Sequence, residues 1–289
     1  MKKYSVFDAH CDTLHRVCDE GGDINKNVFN TDTARMREYK SYSQIYAMFI
    51  DTKYYNSPKI RMKSLYEIYR NSDFNGITPY LSLEGGEVIE SLEDVDYLHS
   101  IGVRCVNLAW NNSNKICGGA DDPDTDITPF GCDVVKKLNE KGILIDVSHL
   151  NDKSFYSVAD ITTKPLIASH SNSRAVCNHR RNLTDEMFKK ICESGGCVGI
   201  NLYPPFVKET GKCNIDDVLI HIEHFMNHGG ENHIGIGADF DGVSDNLPEG
   251  IKGCQDLYKV FDKMYDLGYS DDIVEKVTHR NFRRIFTEE

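Results

Sequence analysis

The stretch that decides the fold reads Pro165-Leu166-Ile167-Ala168-Ser169-His170-Ser171. It begins as a short apolar run, turns polar at once, and places a histidine at the turning point. A buried strand of a parallel β-barrel has this pattern when it delivers one reactive side chain at its carboxyl end. The same pattern occurs in four other runs, each of which contains or ends in a histidine or a carboxylate. These runs are residues 6–12, 80–84, 143–149 and 234–239.

Strand-like and helix-like runs alternate along the whole sequence, and no linker or composition break divides it. Repeated βα units with short connections predict a parallel sheet. Roughly eight such units fit a closed barrel better than an open sheet, which would usually show a glycine-rich phosphate turn after its first strand. The sequence therefore predicts an α/β fold, a single TIM-type (β/α)8 barrel domain over residues 1–289, with the active site at the carboxyl ends of the strands.

Two local predictions bear on the site. The passage from the first strand to about Ser43 is polar and is expected to be rich in loops. Residues 103–110 predict a strand, which would place Trp110 at its carboxyl end.

Composition and charge exclude several classes of function. The chain has 289 residues, of which 40% are hydrophobic and 27% charged, an ordinary balance for a globular protein. The net charge of −12 argues against nucleic acid or an anionic membrane surface as a partner. No signal-peptide core or bilayer-spanning run is present, so a cytoplasmic location is expected. The ten cysteines lack paired close spacings and predict neither a zinc ribbon nor a disulfide framework.

The polar residues at the strand ends predict one shared metal site. His10 and Asp12 are two apart on a strand, so both side chains are expected on the same face. His149 and His170 each end another strand. A single histidine at a strand end is more often a hydrogen-bonded structural residue than a metal ligand. Two of them in register with His10 and Asp12 favour a set of metal ligands. Glu84 could bridge two cations with its two oxygens. Zinc suits imidazole with carboxylate, and manganese or cobalt could substitute.

Such a site indicates hydrolysis of a polar acyl bond. Two metal ions about 3.5–4 Å apart can share a bridging water and make hydroxide available near neutral pH. Asp239, at the end of the last strand, is then best placed to accept and donate protons rather than to act as a fixed ligand.

The chain as a whole resembles the renal (membrane) dipeptidase family of zinc peptidases, within the amidohydrolase-type barrels. The matching stretches, in family order, are Asp8-Ala9-His10-Cys11-Asp12, Glu84-Gly85-Gly86, Thr128-Pro129-Phe130-Gly131, residues 142–149, Ser169-His170-Ser171 through Arg180-Arg181-Asn182, and residues 235–242. The resemblance implies a zinc-dependent dipeptidase with two Zn²⁺ per chain, which hydrolyses the peptide bond of a free dipeptide by a metal-bridging hydroxide.

The resemblance also implies a role for each site residue. One zinc would be held by His10 and Asp12, the other by His149 and His170, with Glu84 bridging them. Arg181 would pair with the C-terminal carboxylate of the dipeptide, for which its planar guanidinium is suited. Asp239 would contact the substrate amine and move protons, and Tyr203 would line the pocket. Glu84 and Asp239 are thus the expected catalytic carboxylates.

One position departs from the family pattern. The family has a histidine at the end of the fourth strand that polarises the scissile carbonyl, and Trp110 stands there in this sequence. An indole donates one hydrogen bond, carries no charge and does not titrate. Losing one transition-state donor can cost on the order of 10²–10³ in rate. We therefore expect Trp110, Asn111 or a metal ion to take that role, or the substrate preference to have changed.

Two alternatives to the dipeptidase remain at the level of sequence. One is a binuclear-metal barrel hydrolase of another carboxylate-bearing amide or ester, such as an acyl amino acid or a lactone. The other is a catalytically silent metal-binding protein, which Asp239 disfavours because a pure binder does not need it. A homodimer could form, since it is the commonest arrangement of soluble homo-oligomers.

The remaining histidines are expected to lie away from the site. They are His15, His99, His221, His224, His228, His233 and His279. Three of these, at 221, 224 and 228, have helical spacing and could chelate a metal on the outer surface, although a solvated helix face is the favoured interpretation. His179 lies in the loop that carries Arg181 and could reach the pocket.

Overall fold

The computed structural model describes residues 2–243 and 246–287. Within this part of the chain, eight parallel strands close into a barrel in sequence order, and the last strand pairs with the first. The strands are β1 (Lys2–Cys11), β2 (Tyr39–Phe49), β3 (Thr78–Glu84), β4 (Val103–Asn107), β5 (Leu144–Asp146), β6 (Leu166–Ala168), β7 (Cys197–Ile200) and β8 (Ile234–Ile236). The predicted TIM-type (β/α)8 barrel is confirmed.

Helices surround the barrel and connect its strands. They are α1 (Thr13–Glu20), α2 (Thr33–Met36), α3 (Pro58–Asn71), α4 (Leu92–Ser100), α5 (Pro129–Lys141), α6 (Asp152–Ile161), α7 (Asp185–Glu193), α8 (Pro204–Val207), α9 (Ile215–Asn227), α10 (Tyr258–Asp266), α11 (Asp271–Glu275) and α12 (Asn281–Thr287). Local sequence fixes several of their ends. α5, for example, begins after Thr128, whose hydroxyl accepts from the Gly131 amide, and ends at Gly142 in the left-handed conformation.

The amino end of the barrel is closed by apolar packing. Phe7 of β1 packs against Phe282 and Phe286 of α12 at ring-centroid distances of 5.5 and 5.3 Å. The buried cluster around these rings includes Leu144 and Cys197, the first residues of β5 and β7. Because this end is filled with hydrocarbon, the polar side chains at the strand ends collect at the opposite, carboxyl end.

Two local predictions are wrong, and both concern the rim of the site. The passage before Ser43 contains α1 and α2, because Leu14 and Val17 form an apolar stripe that α1 buries against the barrel. β4 ends at Asn107, so Trp110 lies in the loop beyond the strand. No helix within the described residues is both long and apolar enough to cross a membrane.

Candidate metal centre

Six side chains predicted from the sequence meet at the carboxyl end of the barrel, and all six are buried. They are His10, Asp12, Glu84, His149, His170 and Asp239. His10 and Glu84 lie on β1 and β3, whereas the others lie in the turns just beyond strands. Asp12 is not on β1 as predicted. It follows the strand as the residue before α1, and a register shift between Asp8 and Cys11 brings it to the same site as His10.

The carboxylate of Glu84 lies between two groups of ligand-type atoms. Its Oε2 is 3.2 Å from Nε2 of His10, which in turn is 3.3 Å from Oδ2 of Asp12. Its Oε1 is 2.9 Å from Nε2 of His149, and Nε2 of His149 is 2.8 Å from Nε2 of His170. The two oxygens of the Glu84 carboxylate thus face two pairs of potential metal ligands, His10 with Asp12 and His149 with His170.

Hydrogen bonds at Nδ1 orient two of the histidine rings, and for His149 the bond also fixes which nitrogen carries the proton. Nδ1 of His149 lies 2.8 Å from Oδ1 of Asn111. An amide oxygen only accepts, so Nδ1 carries the proton and Nε2 presents its lone pair. Nδ1 of His170 lies 2.7 Å from the hydroxyl of Ser169, which can donate or accept and therefore orients the ring without fixing its tautomer. Nε2 of His149 thus offers its lone pair toward Nε2 of His170, 2.8 Å away, and a cation held by both rings would use these two atoms.

The electrostatics of the site agree with this geometry. Burial lowers the pKa of His149 to about 3 and that of His170 well below its ordinary value. Burial also opposes a charge on His10, but the carboxylates of Glu84 and Asp12 together outweigh burial and raise the pKa of His10 well above its ordinary value. Although burial favours the neutral acid, His10 and His149 hold the pKa of Glu84 well below its usual range. Neutral imidazoles, as at His149 and His170, and a charged carboxylate are the forms that bind metal ions, whereas His10 would release its proton when a metal ion binds.

A buried carboxylate oxygen of Asp12 also favours a cation at this site. Oδ1 of Asp12 has no hydrogen-bond partner among the described residues, although it is buried. An unpaired buried carboxylate oxygen is costly unless a cation or a donor satisfies it. The donor set of the centre, imidazole nitrogens with carboxylate oxygens, therefore fits divalent cations such as zinc.

Asp239 is held at the edge of the centre by a strained turn. Its φ angle is +61°, in the left-handed region, and its Oδ2 accepts a hydrogen bond of 3.0 Å from Nδ2 of Asn201. A Cβ at Gly242 would lie 2.5 Å from Oδ1 of Asp239 and 2.3 Å from Oδ2 of Asp12, so only glycine fits there. Burial, with the nearby carboxylates of Asp12 and Glu84, raises the pKa of Asp239.

A cavity of about 240 Å³ opens over the centre. Besides Glu84, His149 and the aspartates, it is lined by His15, Arg16 and Glu20 from α1, by Phe49 and by Trp110. The prediction that His15 lies away from the site is therefore wrong, because the helix that carries it was not predicted. The indole of Trp110 packs against Phe49 at 5.2 Å and against His149 at 6.0 Å.

Two predicted substrate contacts, Arg181 and Tyr203, do not line this cavity. Arg181 is nonetheless only 5% exposed, and its Nε and Nη2 lack hydrogen-bond partners within the described part of the chain. Burial lowers its pKa to about 10, while Asp239 and Glu84 act in the opposite direction. The backbone amide of Tyr203 donates to Oδ1 of Asn201, the residue that also holds Asp239.

Residues near Arg181 form an aromatic support. The Phe206 ring lies 5.4 Å from the guanidinium of Arg181 and packs against the rings of Tyr203 and His179 at 4.9 and 4.5 Å. Nδ1 of His179 accepts from the backbone amide of Arg181. Burial lowers the pKa of His179 below its ordinary value, an effect to which Arg181 adds. His179 therefore supports the loop that presents Arg181 and is not among the residues that line the cavity over the centre.

Sequence reasoning missed Asn201 and assigned Asn111 a different role. Asn201 follows β7 directly, as the other site residues follow their strands, so the strand-end pattern contained the signal. Asn111 lies in an irregular loop, and nothing in the sequence relates it to His149.

Comparisons with known proteins agree with one another. Residues 61–289 match the family model described as membrane dipeptidase (peptidase family M19). The chain is 34% identical over 203 residues to the "uncharacterized protein in pqqA 5'region" of Klebsiella pneumoniae, across 66% of this chain and 74% of that protein. It is 30% identical over 218 residues to an uncharacterized dipeptidase of Schizosaccharomyces pombe, across 73% of this chain and 53% of the yeast protein. The chain thus spans about half the length of that relative.

A solved structure matches over the full barrel. It is a metallopeptidase of family M19 named dipeptidase AC, with a TM-score of 0.88 and 26% sequence identity. The match covers 99% of this chain and 98% of that one.

Proposed function

This chain belongs to the membrane dipeptidase family, peptidase family M19, and from that premise we propose that it is a zinc-dependent dipeptidase that hydrolyses free dipeptides. The observation that carries the proposal is the meeting of three imidazoles and three carboxylates in one buried site beneath a small cavity. Because these residues come from both ends of the chain, from β1 to the turn after β8, we also propose that residues 1–289 act as one domain.

Two zinc ions would be held by five of the six side chains. His10 and Asp12 would bind one ion, His149 and His170 the other, and the two oxygens of Glu84 would serve both. The separation of the donors on the two sides of Glu84 supports this assignment. When bound, the ions would polarise the scissile carbonyl and make a water acidic enough to attack near neutral pH.

Asp239 would carry the proton in this reaction. Hydrolysis forms a C–O bond from water, breaks the C–N bond, and moves one proton from the water to the departing amine. Oδ1 of Asp239 is 3.9 Å from Nε2 of His10 and therefore lies beside the ligands. Its Oδ2 is anchored by Asn201, so the carboxylate is oriented while its other oxygen is available for proton transfer.

Arg181 would select substrates with a carboxylate at one end. A buried guanidinium with two nitrogens that have no hydrogen-bond partner among the described residues costs free energy that a bidentate carboxylate recovers. Asp239 and Glu84 lie near enough to Arg181 to act on its pKa, so a substrate with its carboxylate at Arg181 and its amine near Asp239 would be short, as a dipeptide is. Trp110, which lines the cavity, would contact the substrate there, and Tyr203, which packs on the Phe206 ring beside Arg181, would do so at the carboxylate end.

The test is a panel of L-L and L-D dipeptides, assayed before chelation, after chelation and after zinc is restored. Matched N-acetyl dipeptides and tripeptides serve as substrate controls. We expect dipeptide cleavage that chelation abolishes and zinc restores, with poor cleavage of both controls. If zinc-restored protein cleaved no dipeptide but did cleave acyl amino acids or lactones, the dipeptidase proposal would be wrong and another barrel hydrolase would replace it.

A further inference from the structure

A second group of metal-ligating side chains lies on the outside of the barrel, where helices α7 and α9 meet. We call it the α7–α9 cluster, and it consists of Asp185, His224 and His228. Asp185 is the first residue of α7, His224 lies in the last turn of α9, and His228 is the residue that ends α9. These residues are remote in the fold from the metal centre, since they lie in the outer helical layer.

The geometry of the cluster is compatible with one shared ion. Nε2 of His224 is 2.7 Å from Oδ1 of Asp185, and Nε2 of His228 is 3.6 Å from Oδ2 of the same carboxylate. One ligand atom from each residue lies within 4.8 Å of the others. Atoms bound to one zinc ion at about 2.1 Å are at most about 4.2 Å apart. Because Asp185 and His224 are only partly buried and His228 is exposed, small rotations can bring them to ligand distance.

The hydrogen bonds of His228 show which nitrogen faces the carboxylate. Its Nδ1 is 2.8 Å from the backbone carbonyl oxygen of His224. That oxygen only accepts, so Nδ1 carries the proton, and in the neutral ring Nε2 is a lone pair. The lone pair faces Oδ2 of Asp185, which is also an acceptor. Two acceptors oppose each other unless a cation lies between them or the ring is protonated.

The rest of the cluster suits a cation as well. The rings of His224 and His228 stack at a centroid distance of 4.3 Å, and both Nε2 atoms face the Asp185 carboxylate. Nε2 of His224 donates to Oδ1 of Asp185 in the neutral ring, so this histidine would take its other tautomer when it binds a metal ion. Histidines four residues apart on one helix face are a recurrent zinc-binding arrangement. The carboxyl end of α9 also carries partial negative charge, which favours a cation there.

We propose that Asp185, His224 and His228 form a third divalent metal site, of a His₂Asp type that takes Zn²⁺ or Ni²⁺, and that the ion links α7 to α9. His221, which shares the helix, is not part of it. Its ring is fully buried, accepts from the amide of Ser173 through Nδ1 and donates to the carbonyl of Val207 through Nε2. Both of its nitrogens are thus already used.

The experiment compares the zinc content of the full-length wild type with that of His224→Ala and Asp185→Asn by equilibrium dialysis and elemental analysis. His99→Ala is the matched control, because His99 is an exposed histidine in the last turn of α4. At saturating zinc, we expect each cluster variant to bind one ion fewer per chain than the wild type, and His99→Ala to bind the same number. This difference does not depend on how many ions the metal centre holds.

A second readout is retention of the untagged protein on a Ni²⁺ resin. Wild type and His99→Ala should be retained, and His224→Ala should pass through. Equal zinc content in wild type and cluster variants would overturn the proposal and leave a protonated histidine–carboxylate ion pair as the description of the cluster. The variants change surface side chains, and circular dichroism confirms that each is folded before metal is counted.

Discussion

Replacing Asn111 by alanine should weaken zinc binding at the metal centre without removing any ligand. Oδ1 of Asn111 accepts from Nδ1 of His149 at 2.8 Å and thereby keeps the lone pair of Nε2 directed at Glu84 and His170. In the alanine variant the ring can rotate or take the other tautomer, and both changes withdraw a ligand atom. Asn111 would thus be a positioning residue that acts through His149.

The magnitude follows from the environment of that hydrogen bond. A neutral hydrogen bond contributes about 0.5–1.5 kcal/mol net, and loss of a partner that orients a ligand typically costs about 10–100-fold in metal affinity. Asn111 is only half-buried, so water can replace part of the lost contact. We therefore expect the lower end of that range, about tenfold, or about 1.4 kcal/mol.

The assay is competition for zinc against a chromophoric chelator, together with kcat/KM at saturating zinc. Asn111→Asp is the matched control, because it keeps an acceptor oxygen at the same position and should bind zinc at least as tightly as the wild type. Activity of the alanine variant should largely recover when zinc is in excess. The orienting role would be refuted if Asn111→Ala bound zinc within about twofold of the wild type. It would also be refuted if Asn111→Asp lost as much zinc affinity as Asn111→Ala.

Three further predictions follow from buried or rim side chains. Arg181→Lys should lower kcat/KM for free dipeptides by about 10–100-fold, because the variant loses a bidentate contact with the substrate carboxylate. Cleavage of dipeptide amides, which is much slower in the wild type, should change by no more than a few-fold. Equal losses on both substrates would show that Arg181 does not recognise the carboxylate. Trp110→His should raise dipeptide turnover by less than about tenfold if the site is compensated, and a gain approaching 10² or more in steady-state kinetics would contradict this. His221 is buried, which lowers its pKa from 6.5 to about 4, so its contribution to stability is complete above pH 6.5 and is lost as the pH falls from 6.5 to about 4. Urea unfolding at pH 7.5 and 4.5 should therefore show wild type losing about 2–3 kcal/mol more than His221→Gln over that interval, and parallel losses would contradict the assignment.

The sequence predicted which side chains meet at the carboxyl end of the barrel, because each strand end gives a local signal that does not require knowledge of the loops. An apolar run followed by His149 or His170 places that residue at the barrel's carboxyl end once the fold class is known. The orientation of each ring is a different matter. It depends on Asn111 for one histidine and on Ser169 for the other. The neighbouring serine is local, but Asn111 reaches His149 only through the path of an irregular loop.

The helical histidines show a second limit of sequence reasoning. Spacing at positions 221, 224 and 228 places three rings near one side of α9 but does not tell which ring meets the core. The structure buries His221 between Ser173 and Val207, whereas His224 faces Asp185, a residue 39 positions away in sequence. Helical periodicity therefore indicated a shared face. Which ring is buried and which is exposed depends on how α9 packs against α7 and α8, and the sequence does not show this.

The loop after β4 explains how the site could work without the histidine that the family pattern places there. Trp110 packs against His149 and Phe49, and the next residue, Asn111, fixes the tautomer of His149. Both side chains thus act on His149, a proposed metal ligand, and neither can exchange a proton with a substrate. Proton transfer would then fall on Asp239, whose oxygen is held by Asn201 and whose turn requires Gly242. Such a site lacks the histidine that would hydrogen-bond the substrate carbonyl, but it holds the ring of His149 more rigidly. Its activity should therefore depend more steeply on metal occupancy than on hydrogen bonds from side chains to the substrate.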